Sequence, residues 1–178
     1  LLFRVIAVSY INATSKKRYQ EILDRNNIKE ADFELEKTIE VTSINSEEGR
    51  KLLKKLNPDI VVIVTTRILS KKTLESINAK FINIHSGITP LYRGLHGAYW
   101  ALINKDMENC GVTVHLVDEG IDTGGILYQD TIVDEITPKD NFISYTYLQL
   151  SKALPLLKKA INDIKSDSIK IQKPKADI

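Results

Sequence analysis

Residues 59–86 read DIVVIVTTRILSKKTLESINAKFINIHS, and the fold is decided there. The stretch opens on a continuous β-branched run, Asp59 to Thr66. Such runs belong to strands covered on both faces, as in parallel sheets. ILSKKTLESI then predicts a short helix with Ser70 as its cap. FINIHS follows as a second strand. Strand, helix and strand in this order are the pattern of an open, doubly wound α/β sheet. The last strand carries an anomaly. Asn83 and His85 interrupt its apolar run, two residues apart, just ahead of a loop with Gly87, Pro90, Tyr92, Arg93 and Gly94.

Upstream, TIEVTSI (38–44) alternates as a strand does, and EEGRKLLKKL (47–56) predicts a helix. Asn45 or Ser46 can cap that helix, Glu47 and Glu48 suit its first turn, and Asn57-Pro58 ends it. Residues 38–86 thus alternate β-α-β-α-β. Residues 1–27 are expected to be helical, with Tyr19, Ile22 and Leu23 at helical spacing and an Asn pair at the end. Downstream come a helix in HGAYWALINKD, a strand at 111–118, a loop EGIDTGG, and a strand at 126–133. Thr137-Pro138 is expected to open a long helix running to about Ser166, bent at Pro155, with SIKIQ as a last short strand. The whole reads as one α/β domain over 1–178: a helical lead-in (1–37), a core (38–135), and a C-terminal helix and tail (136–178).

Of the 178 residues 43% are hydrophobic, enough for one real core. The net charge is +2, without the concentrated basic face of a nucleic-acid binder, so no nucleic-acid partner is expected. Lys165, Lys170, Lys173 and Lys175 read as a solvated tail. Cys110 is the sole cysteine, which excludes a disulfide framework and a CxxC knuckle and points to a reducing, cytoplasmic compartment. His85, His96 and His115 lack HExxH spacing, so no metal is expected. No apolar run approaches the roughly 20 residues that span a bilayer, and no membrane partner is expected. The chain starts at Leu1 and has no glycine before Gly49, from which we expect that the natural protein begins earlier.

Seven of the eight glycines fall between 87 and 125, so backbone freedom is concentrated beside the unusual side chains. Ligands of open α/β sheets bind beyond the C-terminal strand ends. Asn83 and His85, at i and i+2, share a strand face there. An amide N–H can stabilise an oxyanion, and an imidazole can move a proton at neutral pH. The pair points to function more than to strand-end packing. Asp122 can orient the histidine or simply bond its own turn. His115, inside an alternating strand, reads as structural. His96 can meet an anion or cap a helix, and Arg93 can hold a phosphate or a carbonyl. Tyr99 and Trp100 read as helix packing and Cys110 as a buried small residue.

NIHSGITPLYRG followed by GVTVHLVDEGIDTGGILYQ resembles the folate-dependent formyltransferases, over roughly residues 38–135, and TRILS (66–70) is similar to the folate-site segment of that family. The resemblance implies a Rossmann-like, mostly parallel sheet flanked by helices, here lacking its first βα unit. It implies 10-formyltetrahydrofolate as formyl donor, with a small-molecule amine as acceptor. Asn83, His85 and Asp122 fall on the catalytic positions. The Asn83 amide and a protonated His85 would stabilise the oxyanion, and Asp122 would keep the histidine charged. The pterin would lie against Arg67, Ile68 and Leu69 and the loop bearing Val117, Asp118 and Glu119. Ser86, Gly87, Arg93 and Gly94 would bound the acceptor. The loop Ser86-Gly87-Ile88-Thr89-Pro90 departs from the Pro-Ser-Leu-Leu-Pro of many relatives. An amino-sugar nucleotide is therefore the first expectation for the acceptor, glycinamide ribonucleotide the second and water the third. A non-catalytic folate-binding fragment is the alternative of another class, and a homodimer is an expectation for the assembly.

Overall fold

The computed structural model describes residues 2–29, 31–32 and 34–173. Leu1, at the head of the expected lead-in, and residues 174–178 of the expected tail lie outside the described residues. Four strands form one sheet in chain order: β1 (Ile60–Ile63), β2 (Lys80–His85), β3 (Gly111–Leu116) and β4 (Ile126–Thr131). Five helices accompany them among the described residues: α1 (Leu2–Arg25), α2 (Glu47–Leu56), α3 (Lys71–Leu74), α4 (Gly97–Ile103) and α5 (Ser144–Lys165). The α/β class and the open, helix-flanked sheet are as expected. The pairing is not mostly parallel. β1 and β2 are parallel, whereas β2–β3 and β3–β4 are antiparallel. The 117–125 connection is too short for the dozen or so residues a parallel crossover needs, so β4 must fold back on β3.

The alternation of side chains along the strands sorts the core. Ile82, Val114 and Leu127 face Ala160 of α5, with Leu156 and Leu157 packed beside them. Phe81 points the other way and packs with Leu53 of α2 and Leu69 ahead of α3. Each of these three buried side chains contributes roughly 1.5–3 kcal/mol. A third cluster joins Ile22 of α1, Ala98 and Ala101 of α4 and Leu148 of α5.

Three expected elements differ. Residues 38–44 form no strand, and Ile39 is exposed. Their alternation has no neighbouring ladder to join, and an alternating sequence becomes a strand only beside a partner. The long helix begins at Ser144, not at Thr137-Pro138. Thr137 is used in a turn, donating from N and Oγ1 to Asp140 Oδ2 (2.9 Å each). Asn141 takes the capping role: its Oδ1 accepts from Ile143 N (2.9 Å) and Ser144 N (3.3 Å). The same amide donates to Ser15 Oγ (2.8 Å), tying the start of α5 to α1. SIKIQ contributes a single antiparallel bridge, Ile126 to Gln172, not a strand.

Candidate active site

Phe81 packs beneath α2 and the segment leading into α3. Asn83 and His85 continue the same strand face beyond that cover and open into a cavity of about 710 Å³. This is the physical origin of the polar pair in an apolar strand. Across the antiparallel ladder Asn83 pairs with His115 and His85 with Thr113. Directly opposed residues present their side chains on one face. His115 therefore enters the site, where the sequence had read it as structural. A signal for this was available: in GVTVHLV, Thr113 and His115 share a parity just as Asn83 and His85 do.

Asp122 comes from the β3–β4 loop with φ of 52°, a left-handed conformation that aspartate tolerates better than most residues. Its Oδ2 lies 3.3 Å from His85 Nδ1 and accepts from Gly94 N at 2.9 Å. Its Oδ1 lies 3.4 Å from His115 Nε2 and accepts from Asn83 Nδ2 at 3.4 Å. Asn83 Nδ2 also reaches His115 Nε2 at 3.2 Å. One carboxylate thus joins an amide and two imidazoles.

The outer bonds set the tautomers. His85 Nε2 is 2.6 Å from the Tyr92 carbonyl, which can only accept, so Nε2 carries the hydrogen. His115 Nδ1 likewise donates to the Leu116 carbonyl at 2.6 Å. In a neutral His85 the Nδ1 lone pair then faces Asp122 Oδ2, and a proton between them relieves the repulsion. Burial lowers the His85 pKa, against the opposing pull of the Tyr92 carbonyl and Asp122. Above pH 6.5, the ordinary value, this direction favours the neutral ring. Burial also pushes the Asp122 carboxyl upward, but the contact with His115, the attraction of His85 in its protonated form and the Gly94 N–H together hold it below its ordinary value.

A pH dependence follows. A folded pKa below the unfolded value of 6.5 means that the unfolded chain takes the proton first. The stability contributed by His85 is fully present above pH 6.5 and is lost as pH falls through the lower folded value. The acid limb of turnover is expected on that side too, with a flat profile between about pH 7 and 8. Rates and melting temperatures measured across pH 5–8 check this. An acid limb above pH 7 would contradict a neutral resting ring.

Arg67, Ile68, Leu69, Val117 and Asp118 line one end of the cavity, and Ser86 and Gly94 line it nearer the carboxylate. Three expected residues lie outside the lining: Glu119, Gly87 and Arg93. Glu119 is drawn to Lys71 of α3 (3.3 Å), and Gly87 is buried with its carbonyl accepting from Thr113 Oγ1 (2.7 Å). The departing loop 86–90 is itself held to β3, since Thr113 Oγ1 also accepts from Thr89 N (3.1 Å). Cys110 is buried, as expected, and burial, with Asp106 adding to it, pushes its thiol up to about 11.

The family model described as formyl transferase matches residues 4–149. The chain belongs to the formyl transferase family. A methionyl-tRNA formyltransferase of Finegoldia magna is 37% identical over 124 residues, which is 68% of this chain and 40% of that protein. Among solved structures, a 4-N formyltransferase from Francisella tularensis superposes with a TM-score of 0.60 at 26% identity, covering 91% of this chain and 59% of that one. Phosphoribosylglycinamide formyltransferase from Bacillus halodurans superposes with a TM-score of 0.55 at 29% identity, covering 67% and 61%. The chain spans about two fifths of the length of the Finegoldia relative.

At the other end of this formyl transferase cavity the sequence had marked only His96 as a candidate ligand contact. His96, Tyr99, Phe142, Tyr145, Thr146 and Gln149 line that end, from α4 and the start of α5. His96 begins α4 at φ 62° without a side-chain cap bond, and its ring lies 5.5 Å from that of Phe142. Phe142 also meets Tyr99 at 6.2 Å and Tyr145 at 5.8 Å. Among the described residues no group of three or more His, Cys, Asp or Glu is arranged to hold a metal, and no helix is long and apolar enough to cross a membrane.

Proposed function

We propose that this chain catalyses transfer of a formyl group from 10-formyltetrahydrofolate to the amine of an amino-sugar nucleotide. The convergence of Asn83, His85 and Asp122 at one cavity wall carries the proposal. The cavity is within the roughly 300–1,000 Å³ of small-molecule sites. The end formed by Arg67–Leu69 and Val117–Asp118 offers apolar side chains and backbone polar groups to a flat pterin. As the amine nitrogen bonds the formyl carbon, its proton passes to the Asp122 carboxylate and on to the neutral His85 Nδ1, which faces Asp122 Oδ2 at 3.3 Å. Asp122 holds the resulting imidazolium. The same proton then passes to the departing folate nitrogen as the old C–N bond breaks. The long Asn83 contact to Asp122, 3.4 Å, is the one that yields, freeing an amide hydrogen for the carbonyl oxygen as charge builds on it.

The aromatic end favours a nucleotide-linked acceptor. Phe142 is 50% exposed and presents a ring to the cavity on which a base can stack. The Francisella relative, a 4-N formyltransferase whose match covers 91% of this chain, supports an amine nitrogen as the acceptor. A second reading, methionyl-tRNA as acceptor, is favoured by the 37% identity of the Finegoldia relative. The test is release of tetrahydrofolate with sugar nucleotides, glycinamide ribonucleotide and methionyl-tRNA in parallel. Phe142→Ala is expected to raise the KM for the sugar nucleotide roughly tenfold, the scale of a lost stacking contact, and to leave the donor KM unchanged. Turnover with methionyl-tRNA alone would move the assignment to the second reading.

A further inference from the structure

The wall formed by Thr65–Leu69 has no ladder to shape it. Residues 64–70 are neither helix nor strand, and Thr65 stands at φ 49°. One side chain from far upstream supplies the missing constraint. Asn45, half-buried just before α2, donates from Nδ2 to the Ile68 carbonyl (2.8 Å). Its Oδ1 accepts from Ser70 N (2.9 Å) and from Thr73 Oγ1 (2.9 Å). The two backbone contacts bracket Leu69, whose side chain is 3% exposed and packs with Leu53 and Phe81. Ser46, not Asn45, caps α2, accepting from Gly49 N at 3.0 Å, so the Asn45 amide is not spent on its own helix. Only a short carboxamide donates and accepts in one plane at this reach. It anchors the Leu69 side chain on the core side and fixes how the Ile68 carbonyl is turned, since one of its two lone pairs is held by Asn45.

We propose that Asn45 is a positioning residue that sets the shape of the donor-binding wall, acting through the Ile68 carbonyl. This rests on reading that wall as the pterin site. Two variants separate positioning from mere folding. Asn45→Asp keeps an acceptor for Ser70 N and Thr73 Oγ1, but turns an oxygen toward the Ile68 carbonyl. Asn45→Ala removes all three bonds.

Both variants are expected to raise the KM for 10-formyltetrahydrofolate and the Kd for tetrahydrofolate, measured by calorimetry, roughly tenfold, the scale of one hydrogen bond lost from the wall. The acceptor KM should stay within about twofold and kcat within about threefold. Asn45→Asp should melt close to the wild-type temperature and Asn45→Ala below it. An unchanged donor KM in Asn45→Asp overturns the proposal. So does a rise in donor and acceptor KM together that tracks the melting temperature, which is the mark of a purely structural role. Wild-type protein that binds no tetrahydrofolate would instead overturn the pterin reading, and this inference with it.

Discussion

Turnover is expected to fall at least ~10²-fold in each of Asn83→Ala, His85→Ala and Asp122→Ala, the scale of losing an oxyanion donor or a proton mover. The three losses have different causes. In the proposed mechanism Asn83→Ala removes the amide hydrogen that turns to the carbonyl oxygen. His85→Ala removes the proposed base, whose Nδ1 faces Asp122 at 3.3 Å. Asp122→Ala releases several groups at once: the Asn83 amide, both imidazoles and the Gly94 N–H. Because they act on one proton and one carbonyl, the losses should not add. A His85→Ala/Asp122→Ala double variant should be little slower than the worse single one. Asp122→Asn separates charge from shape, since it keeps an oxygen for Gly94 N but cannot hold an imidazolium. Single-turnover rates at fixed pH check the series. Retained activity in all three alanine variants would refute the mechanism while leaving the family assignment untouched.

What the sequence made legible was local. The parity of Asn83 and His85 is a property of one strand, and it held. So did the β-α-β order of 59–86 and the turn chemistry that put Asp122 in a glycine-bearing loop. What escaped depended on partners. TIEVTSI has strand-like alternation, yet nothing in those residues says whether a ladder lies beside them. His115 sits in an alternating strand, and its face is readable. The face across from it is not, because pairing Asn83 with His115 is a fact about register. The start of α5 shows a competition between two local signals. Thr137-Pro138 is a sound helix opening, but Asp140 bonds Thr137 into a turn and Asn141 caps the helix a turn later. That choice brings Phe142, Tyr145 and Gln149 to the cavity, none of which the sequence had marked.

Gly124→Ala is expected to damage both fold and chemistry, and the cause is crowding, not backbone angle. A Cβ at Gly124 would stand 1.7 Å from the Leu116 carbonyl oxygen and 3.5 Å from His115 Nδ1. The oxygen is backbone, held in place by the sheet, and it accepts the His115 Nδ1–H bond at 2.6 Å. It cannot withdraw without releasing that ring, and the loop cannot withdraw without carrying Asp122 away from His85 and Asn83. Overpacking of this kind costs about 1–3 kcal/mol or more, which lowers the melting temperature by about 5 °C. Gly94→Ala is the matched control. Gly94 has φ of +76° with nothing within 4 Å of an added Cβ, so its cost is the left-handed conformation alone. That is about 1–2 kcal/mol, and its N–H can still serve Asp122. Thermal melts and turnover of the two variants should therefore diverge: Gly94→Ala modestly less stable and active, Gly124→Ala less stable and at least ~10²-fold slower through loss of the placed carboxylate. Native melting and turnover in Gly124→Ala would mean that the loop does not close on β3 as described, and Asp122 would lose the support that aims it at the cavity.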